Sequence, residues 1–321
     1  MLKEYAVNPT VMGKSLLQFT YLLDSLGFDR GRLISKIHSN WVEQVIEAAD
    51  EANIGQRDIH IIIEKLQEAN LKRTFFSQRT VYDAQKSWID NALAHKPETP
   101  LQAILNDEGV SGQENVITMD DILAEHPLWK TTHNWKVPRS ARELADAMKP
   151  LILAAKQIWI IDPHFTFQPG PNRSVETLIE ILKDINNAPK PPAQFQIHYR
   201  SHSKRRPMEM MRETVSKKLI GLIPRGMHLE LYEWELDKYS DAFHDRHLLS
   251  DFGGLSIGHG FDAVGSHQKA LFQLHTYEMT QTIKTDFEVE SSSFRLAQPI
   301  LSISYDGSSS LVSPKSYAFV K

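Results

Sequence analysis

The sequence contains no cysteine. Disulfide bonds, thiolate nucleophiles and zinc sites with cysteine ligands are therefore excluded. Because disulfides are characteristic of oxidising compartments, a cytoplasmic protein is the simplest interpretation.

Long apolar runs and several signature motifs are also missing. No stretch approaches the roughly 18 consecutive apolar residues of a membrane span, and the first residues, MLKEY, lack the profile of a secretion signal. The glycine-rich segment GLSIGHG has neither the Lys-Ser/Thr of a P-loop nor the GxGxxG of a dinucleotide-binding turn. We therefore expect no membrane span, no organic cofactor and no metal ion.

Charge of one sign does not dominate the chain, which carries a formal net charge of -4. A basic cluster nevertheless stands between residues 198 and 218, where seven lysines and arginines face two glutamates. Such a cluster favours phosphate groups, although a solvated charged loop would have the same composition. The candidate phosphate-binding residues are Arg200, His202, Lys204, Arg205 and Arg206.

The first 138 residues have the pattern of a helical interaction domain with a connector. Apolar residues recur at helical spacing through residues 9–94, which predicts helices that pack on each other or on a protein partner. Residues 95–138 are rich in turn-forming and acidic residues, which is typical of a connector with one or two short helices.

The period changes in residues 139–278. Buried-strand runs such as IWII alternate with helical segments, and this alternation predicts an α/β domain whose mixed sheet is flanked by helices. Residues 279–321 are predicted to be a C-terminal extension. In parallel sheets, polar sites lie at the carboxyl ends of the strands. Asp162, residues 198–202 and the segment after residue 243 are therefore expected to converge.

That last segment, HDRHLLSDFGGLSIGHG at residues 244–260, carries the motif His244-x-Arg246-x4-Asp251-x6-Gly258. It resembles the HxK(x)4D(x)6G signature of the phospholipase D superfamily, with arginine in place of lysine. It is most similar to the phospholipase D-like C-terminal domain of MIT-domain proteins. In that family a strand ending in Asp-Pro and an aromatic residue precedes the motif, much as IWIIDPHF does here. The resemblance covers roughly residues 141–265.

The resemblance implies roles for these residues. His244 would be the nucleophile or general acid, Arg246 the phosphate clamp, and Asp251 the group that orients the histidine. Asp162, His164 and Gly258 would support them. Arginine for lysine is not a conservative change, and only one motif is present. Single-motif phospholipase D enzymes complete their site by forming a homodimer, whereas the MIT-type domains bind without catalysis.

Three interpretations of function remain open. The leading one is a phosphate-directed binding or sensing protein, with DNA or RNA as the polyanion, in a larger assembly such as a bacterial defence system. The second is a metal-independent phosphodiesterase or nuclease that acts as a homodimer through His244. The third is a structural adaptor in which His244, Asp245 and Arg246 only stabilise a turn.

Overall fold

The protein is described by a computed structural model that covers residues 2–71, 75–76, 82–94, 101–168, 170–188, 190–202, 207–235, 243–289 and 294–313. The chain divides into two compact units, Met1–His133 and Asn134–Lys321. The boundary predicted at residue 138 lies inside the first strand of the second unit. Both units combine helices with a β-sheet, which confirms the predicted α/β class.

The N-terminal unit is built on a parallel five-stranded sheet with the order β3-β2-β1-β4-β5. Its strands are β1 (Lys3–Val7), β2 (Arg32–Ser35), β3 (Phe75–Phe76), β4 (Ala103–Leu105) and β5 (Val116–Ile117). The direction of chain progress reverses between β1 and β4, a position where open α/β sheets often bind ligands. Here the side-chain amide of Asn8 donates to Oδ1 of Asn106 at 2.7 Å, so the two strand ends are bonded to each other.

Helices cover this sheet on both faces. They are α1 (Pro9–Gly13), α2 (Leu16–Ser25), α3 (Trp41–Glu51), α4 (Gln56–Leu71), α5 (Trp88–Leu93) and α6 (Met119–Leu123). Successive side chains of a strand point to opposite faces. Tyr5 and Val7 therefore join the core formed with α2, α3 and α4, while Ala6 packs with α5.

The prediction of an N-terminal domain made of helices alone was wrong. Its strands have two to five residues, too few for a period of two to stand out against the longer helical pattern. The predicted connector was also misjudged, because β4 and β5 lie within it and their residues Ile104, Leu105 and Ile117 are buried in the core.

The second unit contains a mixed ten-stranded sheet, as predicted for its class. Nine strands follow the order β15-β14-β9-β8-β7-β10-β11-β12-β6, and β13 pairs with β9. Only β7, β8 and β9 are parallel to one another. The strands are β6 (Asn134–Arg139), β7 (Gln157–Ile161), β8 (Gln194–Arg200), β9 (His228–Glu235), β10 (His247–Ser250), β11 (Gly254–Ile257), β12 (Gly265–Leu274), β13 (Arg295–Leu296), β14 (Ile300–Ile303) and β15 (Ser309–Val312).

Among the described residues, the helices that accompany this sheet are α7 (Ala141–Ala154), α8 (Ser174–Asn186), α9 (Met208–Leu219) and α10 (Tyr277–Asp286). The α10 segment packs on an aromatic core that includes Trp159, Trp234 and Phe287. The region predicted as a C-terminal extension thus supplies most of α10 and three strands to the unit. Within the described residues, no helix is long and apolar enough to cross a membrane.

One edge of the sheet gathers the ends of several strands. His247, the first residue of β10, lies opposite Ile161, the last residue of β7, and Ile161 lies opposite His198 of β8. Because β10 is antiparallel to β7, it begins at the edge where β7 and β8 end. We call this the carboxyl edge. Asp162 and Arg246, the residues that flank β7 and β10 there, come out at this same edge.

Candidate functional site

Asp162 and Arg246 meet around a glycine at the carboxyl edge. A Cβ atom added to Gly260 would lie 2.5 Å from Oδ2 of Asp162 and 3.1 Å from Cγ of Arg246. The φ angle of Gly260 is +69°, a conformation that residues with a side chain rarely adopt. Both the close approach and the backbone conformation therefore require glycine at this position.

Asp162 is the buried anchor of the cluster, with 2 % of its surface exposed. Its Oδ1 accepts the backbone N–H of His164 at 2.9 Å, and its Oδ2 accepts the N–H of Phe261 at 3.3 Å. Burial raises the pKa of this carboxyl, while the two N–H donors and the guanidinium of Arg246 act in the opposite direction. The carboxyl thereby ties the end of β7 to the loop that follows β11.

Further bonds hold the same loop against the helices. The side chain of Asp262 accepts the backbone N–H of Arg173, at the start of α8, at 2.8 Å. It also lies 3.5 Å from the guanidinium of the buried Arg139 of β6. Thr177 of α8 donates its hydroxyl to the carbonyl of Phe261 at 2.7 Å. These contacts fix the loop 258–262 from three elements.

These anchoring residues were missed by sequence reasoning. Gly260 ends the quoted segment but stands two residues beyond the glycine that the motif names. Asp262 and Arg139 belong to no motif, and only the fold brings them together. Gly260, in the loop just after β11 and next to a candidate site, was the one position that the sequence itself could have indicated.

Arg246 itself is half-buried beside this anchor. Among the residues that the structure describes, its guanidinium makes no hydrogen bond and no ion pair within 4 Å. His244, two residues earlier, is exposed and likewise has no side-chain hydrogen bond within the described part of the chain. Within the described residues, the guanidinium of Arg246 is therefore held at the carboxyl edge without a hydrogen-bond acceptor, while its charge acts on the buried carboxyl of Asp162.

The basic cluster begins at the same edge. Arg200 is the last residue of β8 and is half-buried, with its Cα opposite Trp234 of β9. His202 follows it and is exposed. Lys204, Arg205 and Arg206 lie outside the described residues. They stand in the chain between β8, which ends at the carboxyl edge, and α9.

Asp251 is a correction to the predicted site. Its Oδ1 accepts the backbone N–H of Lys156 at 2.8 Å and that of Gln157 at 3.4 Å, at the beginning of β7. The four residues of β10 separate Arg246 from Asp251, and a strand rises about 3.3 Å per residue. Asp251 therefore lies at the opposite edge of the sheet and cannot orient His244.

Two further predicted residues have lesser roles. Gly258 is exposed, its N–H donates to the carbonyl of Leu271 at 2.9 Å, and an added Cβ would make only ordinary contacts. The supporting role expected of Gly258 therefore falls to Gly260. His164 has an exposed ring and contributes its backbone, donating its N–H to Asp162 and accepting the side-chain amide of Asn172 at 3.1 Å.

His198, within the segment expected to converge on the site, belongs to the core instead. Its ring is fully buried and stacks on Trp159, Tyr232 and Trp234. The indole of Trp234 donates to its Nδ1 at 3.1 Å, and burial lowers the pKa of the imidazole to about 3. This histidine is neutral and structural.

The pair of glycines provides a direct test of this geometry. Replacing Gly260 with alanine is expected to lower the free energy of unfolding of the second unit by about 2–3 kcal/mol, since it adds backbone strain and a clash with a buried carboxyl. Gly258→Ala, in contrast, should change it by less than about 1 kcal/mol. Urea denaturation of both variants measures the difference, and equal losses would contradict the proposed packing.

Comparisons with known proteins add little to this description of the site. No protein-family model and no curated protein matches the chain. Among solved structures it is similar to TrmBL2, an archaeal chromatin protein whose structure shows a novel mode of DNA binding. The match has 14 % identity and a TM-score of 0.25, and covers 52 % of this chain and 56 % of that chain. A superposition of this quality does not establish a common fold.

The described part of the chain contains no candidate metal site. No group of three or more histidine, aspartate or glutamate side chains there is placed to hold a metal ion. The carboxyl edge instead offers the guanidinium groups of Arg246 and Arg200 and the exposed imidazoles of His202 and His244. Such a set binds anions through hydrogen bonds and charge.

Proposed function

We propose that the C-terminal unit, which resembles a degenerate phospholipase D-like domain, binds the phosphate groups of a nucleic acid at its carboxyl edge. The observation that carries the proposal is Arg246, a half-buried guanidinium without a hydrogen-bonded or ion-paired partner among the described residues. A guanidinium presents a planar fork of donors that matches phosphate oxygens.

The surroundings of Arg246 support a positioned cation rather than a loose surface charge. Gly260 packs against its stem, its charge acts on the carboxyl of Asp162, and the loop that carries Gly260 is bonded to β7 and α8. A side chain whose base is fixed in this way loses less conformational entropy when it binds a ligand. Arg200 is the last residue of β8 at the same edge, and in the sequence it is followed by the basic residues 204–206, which we propose add further phosphate contacts.

Binding is favoured over cleavage by the position of Asp251. A histidine that attacks phosphorus or protonates a leaving oxygen needs a group that sets its tautomer and orientation. Asp251, to which the motif assigns that task, is bonded at the other edge of the sheet. His244 is left exposed without an orienting carboxylate from its own motif.

Replacing Arg246 with alanine tests the proposal. In fluorescence anisotropy with a short DNA duplex of mixed sequence, the variant should bind about fivefold more weakly at ~0.15 M salt. The slope of log K against log salt should fall by about 0.9, because one phosphate contact is removed. The loss should be similar for unrelated sequences.

Arg225→Ala is the matched control. This exposed arginine stands between α9 and the start of β9, at the opposite edge of the sheet, and its guanidinium lies 5.3 Å from the ring centre of Tyr305. Its loss should leave affinity and slope unchanged. An equal effect of both variants, or no binding by the unaltered protein, would overturn the proposal. Cleavage of the duplex that resists EDTA and disappears in His244→Ala would replace it with phosphodiester chemistry.

A further inference from the structure

Two buried histidines lie side by side where β12 leads into α10. His247 of β10 and His275, which follows β12, have ring centres 5.1 Å apart. Their exposed fractions are 7 % and 1 %. The Nδ1 atom of each ring is buried without a hydrogen-bond partner. Among the described residues, the one side-chain hydrogen bond of the pair joins Nε2 of His275 to the hydroxyl of Ser256 at 3.0 Å.

The ring of His275 is wedged between the sheet and α10. A Cβ atom added to Gly254 would lie 2.8 Å from Nδ1 of His275, 2.7 Å from Leu249 and 3.0 Å from the hydroxyl of Thr280. Thr280 belongs to α10 and Gly254 to β11, so a side chain of the helix and the ring of His275 both lie against this glycine. Both rings are buried, and burial disfavours the charged form of an imidazole.

Among the described residues, no carboxylate raises the pKa of either ring. The strands β7 and β11 carry no titratable side chain, and β10 carries His247 alone. The remaining titratable groups on β12 and α10 are His267, Lys269, Tyr277, Glu278, Lys284 and Asp286. Of these, Lys284 lies over the ring of Trp159. Asp251, which directly follows β10, accepts the backbone N–H groups of Lys156 and Gln157.

The N-terminus of α10 adds to the free-energy cost of protonating His275. His275 directly precedes Thr276, the N-cap residue of α10, whose side chain accepts the N–H of Met279. The N-terminus of a helix carries partial positive charge, which disfavours an imidazolium beside it. Burial, the neighbouring imidazole of His247 and the helix N-terminus therefore all disfavour the protonated form of His275.

From this geometry we infer that the His247–His275 pair is an acid-sensitive latch, which holds α10 on the sheet when both rings are neutral and releases it when His275 is protonated. The consequence is local because α10 begins two residues after His275. Release would uncover the aromatic core beneath it, including Trp159 and Phe287. The device is independent of the phosphate site proposed above.

Hydrogen exchange of the full chain tests the latch. Burial lowers the pKa of His275 to about 3, against about 6.5 in an exposed peptide. The equilibrium for opening α10 should therefore increase about 30-fold between pH 7 and pH 5, after correction for intrinsic exchange rates. At both pH values, peptides from β7 and β8 should exchange much more slowly than peptides from α10, because they open only when the whole unit unfolds.

Variants make the assignment specific. His275→Gln retains a side-chain amide for Ser256 but cannot be protonated, so the response of α10 to acid should vanish. Ser256→Ala removes the bond to the neutral ring and should move release toward neutral pH. His267→Gln, on an exposed position of β12, is the matched control and should behave like the unaltered protein. The latch is refuted if α10 exchanges equally at both pH values, if His275→Gln keeps the full response, or if Ser256→Ala leaves the midpoint in place.

Discussion

Replacing Lys204, Arg205 and Arg206 together with alanine is expected to weaken DNA binding by on the order of 100-fold at ~0.15 M salt. Each phosphate contact contributes about 0.9 to the slope of log K against log salt, so the slope should fall by about 2.7. The three residues stand in the chain directly after Arg200 and His202 at the carboxyl edge. Their contribution should be independent of DNA sequence, because phosphate contacts carry no base information.

A triple variant of equal charge provides the comparison. Lys183 in the last turn of α8, Lys190 between α8 and β8, and Arg225 between α9 and β9 all stand where helices lead back to the start of strands. Their joint replacement with alanine should leave the slope within experimental error. If both triple variants lose the same affinity, binding follows total charge and the carboxyl edge has no special role.

Between about pH 7 and pH 5, the second unit is expected to lose about 6 kcal/mol of unfolding free energy. His198, His247 and His275 have pKa values lowered by burial to about 3, 4 and 3. A histidine whose folded pKa is lowered binds its proton preferentially in the unfolded state, so its contribution to stability is present above about pH 6.5 and is lost as the pH falls. At pH 5 this amounts to about 2 kcal/mol for each ring. Asp162 acts in the opposite sense because its folded pKa is raised.

Urea denaturation followed by hydrogen exchange separates the two units in this experiment. In the described part of the N-terminal unit the histidines are all at least partly exposed, namely His38, His60, His126 and His133. Its unfolding free energy should therefore change much less between the same two pH values. Equal losses in both units would show that the three buried rings are not the cause.

The second unit was largely readable from sequence, and the reason is the strength of its signals. The run Ile158 to Ile161 is continuous and apolar, contains three β-branched residues and is bounded by polar residues, which is typical of a strand buried on both faces. The N-terminal unit offered no such run. Its central strand, β1, alternates Tyr5, Ala6 and Val7 between two cores, so no single apolar face marks it.

The candidate site was only partly predictable, because a motif gives order along the chain and not position in the sheet. The spacing between Arg246 and Asp251 is the length of β10, so the two residues emerge at opposite edges. The amino-acid sequence does not show at which residue β10 begins. Gly260 and Asp162 are 98 residues apart in the sequence and in contact in the fold, a relation that no local pattern encodes.

Strand β6 has a consequence for how the polypeptide matures on the ribosome. It is the first strand of its unit to be synthesised, yet it pairs only with β12. Arg139 and its hydrogen-bond partner Gln268, for example, are 129 residues apart. At about 5–20 residues per second, Trp135 and Val137 wait several seconds or longer for a partner strand. A nascent chain that stalls within this interval would present an unpaired strand to chaperones or to other chains.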